Sequence, residues 1–175
     1  MIEPTVLDYM NAVHKLDRTT FCQRFPLPVL LSTSAMPAAG YQSEPTHVAG
    51  RSGNKSTSPS VVSHEAPVIT LLSERSPDGD EIVIGRSEEC DVVLQDEQIS
   101  AGHAIFRRIH QNLYTLEDLS STNGTRINDV DIEPGEQVDL YNGNKIEFGE
   151  ITFHFYYPGG LYDMIAARRK APVEM

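Results

Sequence analysis

Tryptophan is absent from this chain, and aromatic residues make up only 7% of its 175 positions. Any hydrophobic core must therefore rest on Val, Ile, Leu and a few Phe side chains. Long apolar runs are missing too. None approaches the ~18 consecutive residues a membrane-spanning helix needs. The first ten residues, MIEPTVLDYM, have neither a basic start nor an apolar stretch, so no secretory leader is expected. Cysteine is scarce: Cys22 and Cys90 match no metal-ligand spacing. Both read as free thiols in a reducing compartment, and a cytoplasmic location is the expectation. The sequence also lacks a phosphate-binding P-loop, a metal-ligand cluster and a nucleophile elbow. No enzyme activity, metal or cofactor is expected.

Cations are unevenly scarce. The chain carries 14 Lys and Arg against 25 Asp and Glu, a net charge of -11. Residues 1–66 balance at five of each sign, whereas residues 67–158 hold six cations and 18 carboxylates, net -12. Such a region repels the nucleic-acid backbone and an anionic lipid surface, so neither is expected as a partner.

Four segments are present. In residues 1–31, Thr5 and Asp8 have capping-box spacing, and Val6, Met10 and Val13 fall on one face of a short amphipathic helix. Pro26 and Pro28 then forbid its continuation. Residues 32–66 hold 8 Ser, 3 Thr, 3 Pro and 3 Gly. They read as a disordered linker with a root-mean-square span of roughly 30–35 Å. Residues 67–158 change to short β-branched and aromatic runs: 68–72, 81–85, 91–94, 103–109, 113–118, 125–128, 136–140, 145–149 and 151–157. Turn formers such as Pro77-Asp78-Gly79, Asn123-Gly124 and Asn142-Gly143 separate them. This spacing predicts an all-β, antiparallel sandwich. In residues 159–175, Leu161, Met164, Ile165 and Arg168 have helical spacing, and Arg168-Arg169-Lys170 suits a helix C-terminus.

The polar residues that stand out lie between strands. They are Gly85-Arg86, Ile99-Ser100-Ala101-Gly102-His103-Ala104, the run Asp118 to Thr125 (DLSSTNGT), and Arg126-Ile127-Asn128-Asp129. A guanidinium fork with hydroxyl and backbone donors is the chemistry that holds a phosphate dianion. Arg86, Ser100 and Thr122 supply those types.

In this order, GR, DVVL, SxxHA and LxDLSSTNGTxIN, the chain closely resembles the forkhead-associated (FHA) domain family, in the manner of its small bacterial members. The resemblance covers residues 68–157, about half the chain. It implies a sandwich of about 11 strands in two sheets whose loops at one end recognise phosphothreonine peptides. Carried over, Arg86, Ser100 and Thr122 match phosphate-contacting positions, with Ala101 beside them through its backbone. Asn123 matches a position that grips the peptide backbone, and Gln98 one that shapes side-chain preference. Gly85 and Gly124 are expected to serve backbone conformation, and His103 to hold the loops by hydrogen bonding. The implied partner is a phosphothreonine-containing protein in a Ser/Thr kinase pathway; the oligomeric state is left open.

Other readings compete. His103 beside Ser100 resembles a general base, but no orienting third group accompanies it. Asn123 is equally a turn residue. Arg107, Arg108 and Arg126 read as exposed cations that partly offset the acidic surround. Ala101 stands where the family often has a polar or basic side chain, and Asn128-Asp129 where Asn-Gly is usual. Ala101 and the negative charge leave open a phosphate-independent assembly module. Thr19, Thr20, Thr33, Thr46 and Thr57 lie upstream, where a phosphorylated tail would come within reach of the chain's own pocket.

Overall fold

Each of the nine predicted runs contains a strand, and two more strands join them. The computed structural model describes residues 5–32, 68–73, 75, 76 and 78–170, without the side chains of 168–170. The expected linker, beyond Ser32, lies outside the described residues. So do Pro67, Pro77, the tail 171–175 and the side chains of the basic triplet.

The N-terminal segment begins with α1 (Val6–Lys15). The Thr5 N–H and Oγ–H both donate to Asp8 Oδ2, at 2.8 and 2.9 Å. These bonds hold the Asp8 carboxyl below its ordinary value and close the helix start, as a capping box does. The buried stripe is Val6, Tyr9 and Val13, with Met10 at its margin. Next comes α2 (Arg18–Arg24), capped by Asp17, whose Oδ1 accepts from the N–H groups of Thr19 and Thr20 at 3.0 Å.

After the two prolines, the chain enters β1 (Val29–Ser32), all four of whose residues are buried. Then follow β2 (Val68–Thr70), β3 (Glu81–Gly85), β4 (Val92–Val93), β5 (Ala104–His110), β6 (Leu113–Asp118), β7 (Thr125–Ile127), β8 (Val130–Asp131), β9 (Gln137–Asp139), β10 (Lys145–Phe148), β11 (Ile151–Tyr156) and α3 (Pro158–Lys170). Six strands form one sheet, in the order β2-β1-β11-β10-β7-β8. Five form the other, in the order β4-β3-β5-β6-β9. All pairs are antiparallel except β3 with β4.

Alternation along the strands sends one face of each sheet inward. Leu30, Ile82, Ile84, Phe106, Leu116, Phe148, Phe153 and Phe155 fill the space between the sheets. A second core lies on the outer face of the six-stranded sheet, where Val29, Leu31 and Val68 meet Val6, Tyr9, Phe21, Leu161 and Ile165 of the helices. Arg18 of α2 clamps α3 through Asp163 at 3.0 and 3.1 Å. The molecule is thus three layers: helices, six strands, five strands.

Residues 1–31, expected to hold a short amphipathic helix, hold that helix and also contribute to the sandwich itself. They supply β1, inserted between β2 and β11 (Leu30 opposite Ile69 on one side and Phe155 on the other), together with two helices that cover it. A run buried on both faces has no alternation to reveal it. Thr19 and Thr20 are likewise built into α2, with Thr20 Oγ–H donating to Asp17 at 2.6 Å. They are not part of a free tail. Thr33, Thr46 and Thr57 lie outside the described residues.

Candidate functional site

Gly85 ends β3, and its neighbour in space is the segment 100–103. Arg86 N–H donates to the Ser100 carbonyl at 2.9 Å and Ser87 N–H to the Ala101 carbonyl at 3.0 Å. These bonds clip the loop after β3 to the loop before β5. The fit admits no side chain: a Cβ on Gly85 would stand 2.2 Å from the Ala101 carbonyl oxygen and 2.8 Å from Cys90 Sγ. Gly85 is therefore required by close approach rather than by an unusual φ. Gly124 is the conformational case, at φ +77.

Ser100 links to the third loop, between β6 and β7. Its Oγ accepts from Thr122 N–H at 2.9 Å and lies 3.5 Å from Thr122 Oγ1. Beneath both sits His103, fully buried. His103 Nδ1 accepts from Ser100 N–H at 3.1 Å, so Nε2 carries the proton and donates to the Gly124 carbonyl at 3.2 Å. Both ring nitrogens are thus occupied in joining loops, and neither faces the Ser100 hydroxyl as a base would.

Burial pushes the His103 pKa down, against the Gly124 carbonyl and the Asp118 carboxylate, which favour the cation. An unfolded chain takes up this proton near pH 6.5, whereas the folded ring resists it. Stability is therefore expected to fall as the pH drops below about 6.5, by at most about 1.4 kcal/mol per unit for one proton. Thermal melts between pH 8 and 5 check this; in His103→Gln that part of the slope is lost.

Asp118 opens the DLSSTNGT run that stands out in the sequence, but its own role does not show there. Its buried carboxylate accepts from Ser121 N–H (2.8 Å), Ser121 Oγ–H (2.6 Å) and Thr125 Oγ–H (2.5 Å). Burial alone would raise its pKa, but these bonds outweigh it and hold the carboxyl below its ordinary value. Asp118 thereby shapes the whole turn that presents Thr122 and Asn123. Its place in a D-x-x-S-T run, where a carboxylate meets hydroxyls on the next turn, was the available signal.

Asn123 and Gln98 adjoin this rim. Asn123 Nδ2 donates to the Gln98 carbonyl at 2.9 Å, and the Gln98 side chain accepts from Glu150 N–H at 3.0 Å. With Arg126 and Gly149 these residues line a hollow beside the rim. The two-residue turn Asn128-Asp129 has φ values of 52 and 68, so Asp129 adopts the left-handed conformation that Asn-Gly would give.

The cations divide sharply. In residues 67–158, Arg75 donates to the Glu88 and Glu89 carbonyls, Arg107 pairs with Glu81 and Glu117, Arg108 with Asp80, Arg126 with Glu147, and Lys145 with Asp129 and Glu147. Arg107, Arg108 and Arg126, expected as exposed cations that partly offset the acidic surround, are half-buried and tied to particular carboxylates. Arg86 is exposed. Alone of the six, its guanidinium has no partner among the described residues. The structure therefore brings the loops of Arg86, Ser100, Ala101 and Thr122 together at one end of the sandwich, with Asn123 and Gln98 beside them and Gly85, His103 and Gly124 beneath.

Comparison with known proteins matches the FHA domain model to residues 82–149. The FHA domain-containing protein PS1 of Arabidopsis thaliana is 38% identical over 73 residues, 41% of this chain and 5% of that protein. The glycogen accumulation regulator GarA of Mycobacterium tuberculosis is 34% identical over 71 residues, 41% of each chain. The oxoglutarate dehydrogenase inhibitor of Corynebacterium jeikeium is 37% identical over 71 residues, 41% of this chain and 46% of that one. The match spans less than half the length of each relative. Among the described residues no helix is long and apolar enough to cross a membrane. The match takes in the loops of Arg86, Ser100 and Thr122 and runs from β3 to the end of β10, so residues 82–149 of the sandwich are similar to an FHA domain.

Proposed function

We propose that the rim formed by Arg86, Ser100, Ala101 and Thr122 binds phosphothreonine on a partner protein, and that this chain acts without catalysis as an adaptor in a Ser/Thr kinase pathway. The observation that carries the reading is the state of Arg86. In a region of 18 carboxylates, four of six cations are paired with carboxylates and a fifth, Arg75, bonds two backbone carbonyls, yet this guanidinium is exposed and unpartnered among the described residues. A planar fork left free beside hydroxyls is suited to a phosphate's oxygens.

The neighbouring groups complete a donor set. The Ser100 hydroxyl hydrogen can turn to a ligand, because its contact with Thr122 Oγ1 is long at 3.5 Å. The Ala101 N–H has no acceptor among the described residues and adds a backbone donor in place of the missing side chain. Asn123 is held by its amide nitrogen, which leaves Oδ1 to accept from a peptide N–H. The His103 and Asp118 bonds fix both loops before a ligand arrives, which lowers the entropy cost of binding.

The test is calorimetry on the full chain with an oriented phosphothreonine peptide library. The best sequences, remade without phosphate, are expected to lose at least about 100-fold in affinity, the scale of two charge-assisted hydrogen bonds. Equal affinity for both forms would move the function to phosphate-independent assembly.

A further inference from the structure

The hollow beside the rim carries a charge that phosphate binding leaves unanswered. Its lining is Gln98, Asn123, Arg126, Gly149 and Glu150. Asn123 joins it to the rim, since it follows Thr122 directly and bonds the Gln98 carbonyl. Arg126 has the look of a second anion receptor, but its charge is already neutralised. Nη2 lies 3.3 Å from Glu147 Oε1 and 3.4 Å from the Gly149 carbonyl.

Glu150 is the opposite case. Its N–H donates to Gln98 Oε1, which fixes the turn. Its exposed carboxylate meets only the Gln98 amide, at 3.4 Å, and among the described residues no cationic nitrogen lies within 4.0 Å of it, Arg126 across the hollow included. The hollow thus holds one compensated cation and one uncompensated carboxylate. Around it, residues 67–158 carry net charge -12, a field against which a bare phosphate dianion must approach.

We propose that the ligand is a basic phosphothreonine segment, with a Lys or Arg near the phosphorylated residue seated in this hollow against Glu150. The proposal rests on the phosphothreonine reading and names the class of its substrate. A cationic flank answers Glu150 and reverses the sign of the long-range field. An acidic flank meets Glu150 and finds Arg126 already engaged by Glu147. One exposed ion pair changes affinity by up to about fivefold, so replacing an acidic flank by a basic one is expected to gain about tenfold. The gain shrinks as salt screens it.

The experiment titrates the full chain with phosphothreonine peptides in which a single Lys, Ala or Asp is walked through the positions on either side of the phosphorylated residue. It is run at about 50 and about 300 mM salt, which brackets a Debye length near the size of the hollow. One position is expected at which Lys binds about tenfold tighter than Asp, with the contrast reduced by the higher salt and by Glu150→Gln. Asp equal to or better than Lys at every position overturns the proposal, as does a Lys preference that Glu150→Gln leaves intact. In either case the phosphorylated peptides still outbind their unphosphorylated counterparts, and the phosphothreonine reading stands. If phosphorylation changes nothing across the whole set, that reading fails and takes this proposal with it.

Discussion

Arg86→Ala is expected to abolish measurable phosphopeptide binding while leaving the fold untouched. The guanidinium makes no hydrogen bond or ion pair with any described residue, so truncating it breaks nothing inside the molecule. The backbone bond from residue 86 to the Ser100 carbonyl, 2.9 Å, survives the change. In an environment of 18 carboxylates, losing one unpaired cation shifts the melting temperature by a degree or two at most, within the ordinary range of surface substitutions. Binding is another matter. A bidentate guanidinium–phosphate contact supplies two charge-assisted bonds, and its loss costs about 3–4 kcal/mol, or roughly 150- to 1,000-fold. Arg86→Lys keeps the charge but not the fork and falls between. Calorimetry with the best library peptide, beside a thermal melt of each variant, reads both effects. Full affinity in Arg86→Ala would sink the phosphate reading; a large drop in melting temperature would show that the side chain has a structural partner after all.

The contrast between Arg86 and the other cations shows what the sequence could and could not reveal. Arg86, Ser100 and Thr122 were legible because each sits in a short motif whose chemistry is local. Gly85 directly precedes Arg86, His103 follows Ser100 by three residues, and Asn123-Gly124 closes the turn after Thr122. The turns were legible for the same reason, since positive φ at Gly79, Gly124, Gly135 and Gly143 falls where turn residues cluster. That Arg126 is neutralised by Glu147, 21 residues away, is a fact of strand pairing: Arg126 stands opposite Glu147 across β7 and β10. The Gln98–Glu150 bond spans 52 residues. No local pattern encodes either. Gly85 illustrates a subtler limit. Backbone conformation was the expected reason for a glycine there, whereas the close approach of the Ala101 carbonyl oxygen, 2.2 Å from where a Cβ would stand, cannot be inferred from the dipeptide Gly-Arg.

The largest shortfall concerned the N-terminus, and it yields the prediction with the greatest effect on stability. A chain beginning at residue 67, where the strand pattern starts, is expected not to fold cooperatively. Such a chain lacks β1, which pairs at four positions with β11 and at three with β2. Without it, β2 has no neighbour in its sheet, and β11 becomes an edge whose backbone groups lose their partners. Leu30 is fully buried in the inner core, while Val29 and Leu31 are almost fully buried in the outer one. Each such side chain contributes about 1.5–3 kcal/mol on burial. Together the three already approach the 5–15 kcal/mol net stability of a typical domain. The deletion also removes Val6, Tyr9, Val13 and Phe21, which cover Val68, Leu161 and Ile165, so these would be exposed to water. Circular dichroism and calorimetry on a 67–175 fragment are expected to show no two-state transition. Adding a peptide of residues 5–32 in trans restores one, because the missing strand and helices can dock on the surface they normally cover. Leu30→Ala in the full chain gives the graded version, a loss of about 2–5 kcal/mol with the fold retained. A 67–175 fragment that melts cooperatively within a few degrees of the whole chain would mean that β1 is dispensable, and that the sandwich closes its six-stranded sheet without it.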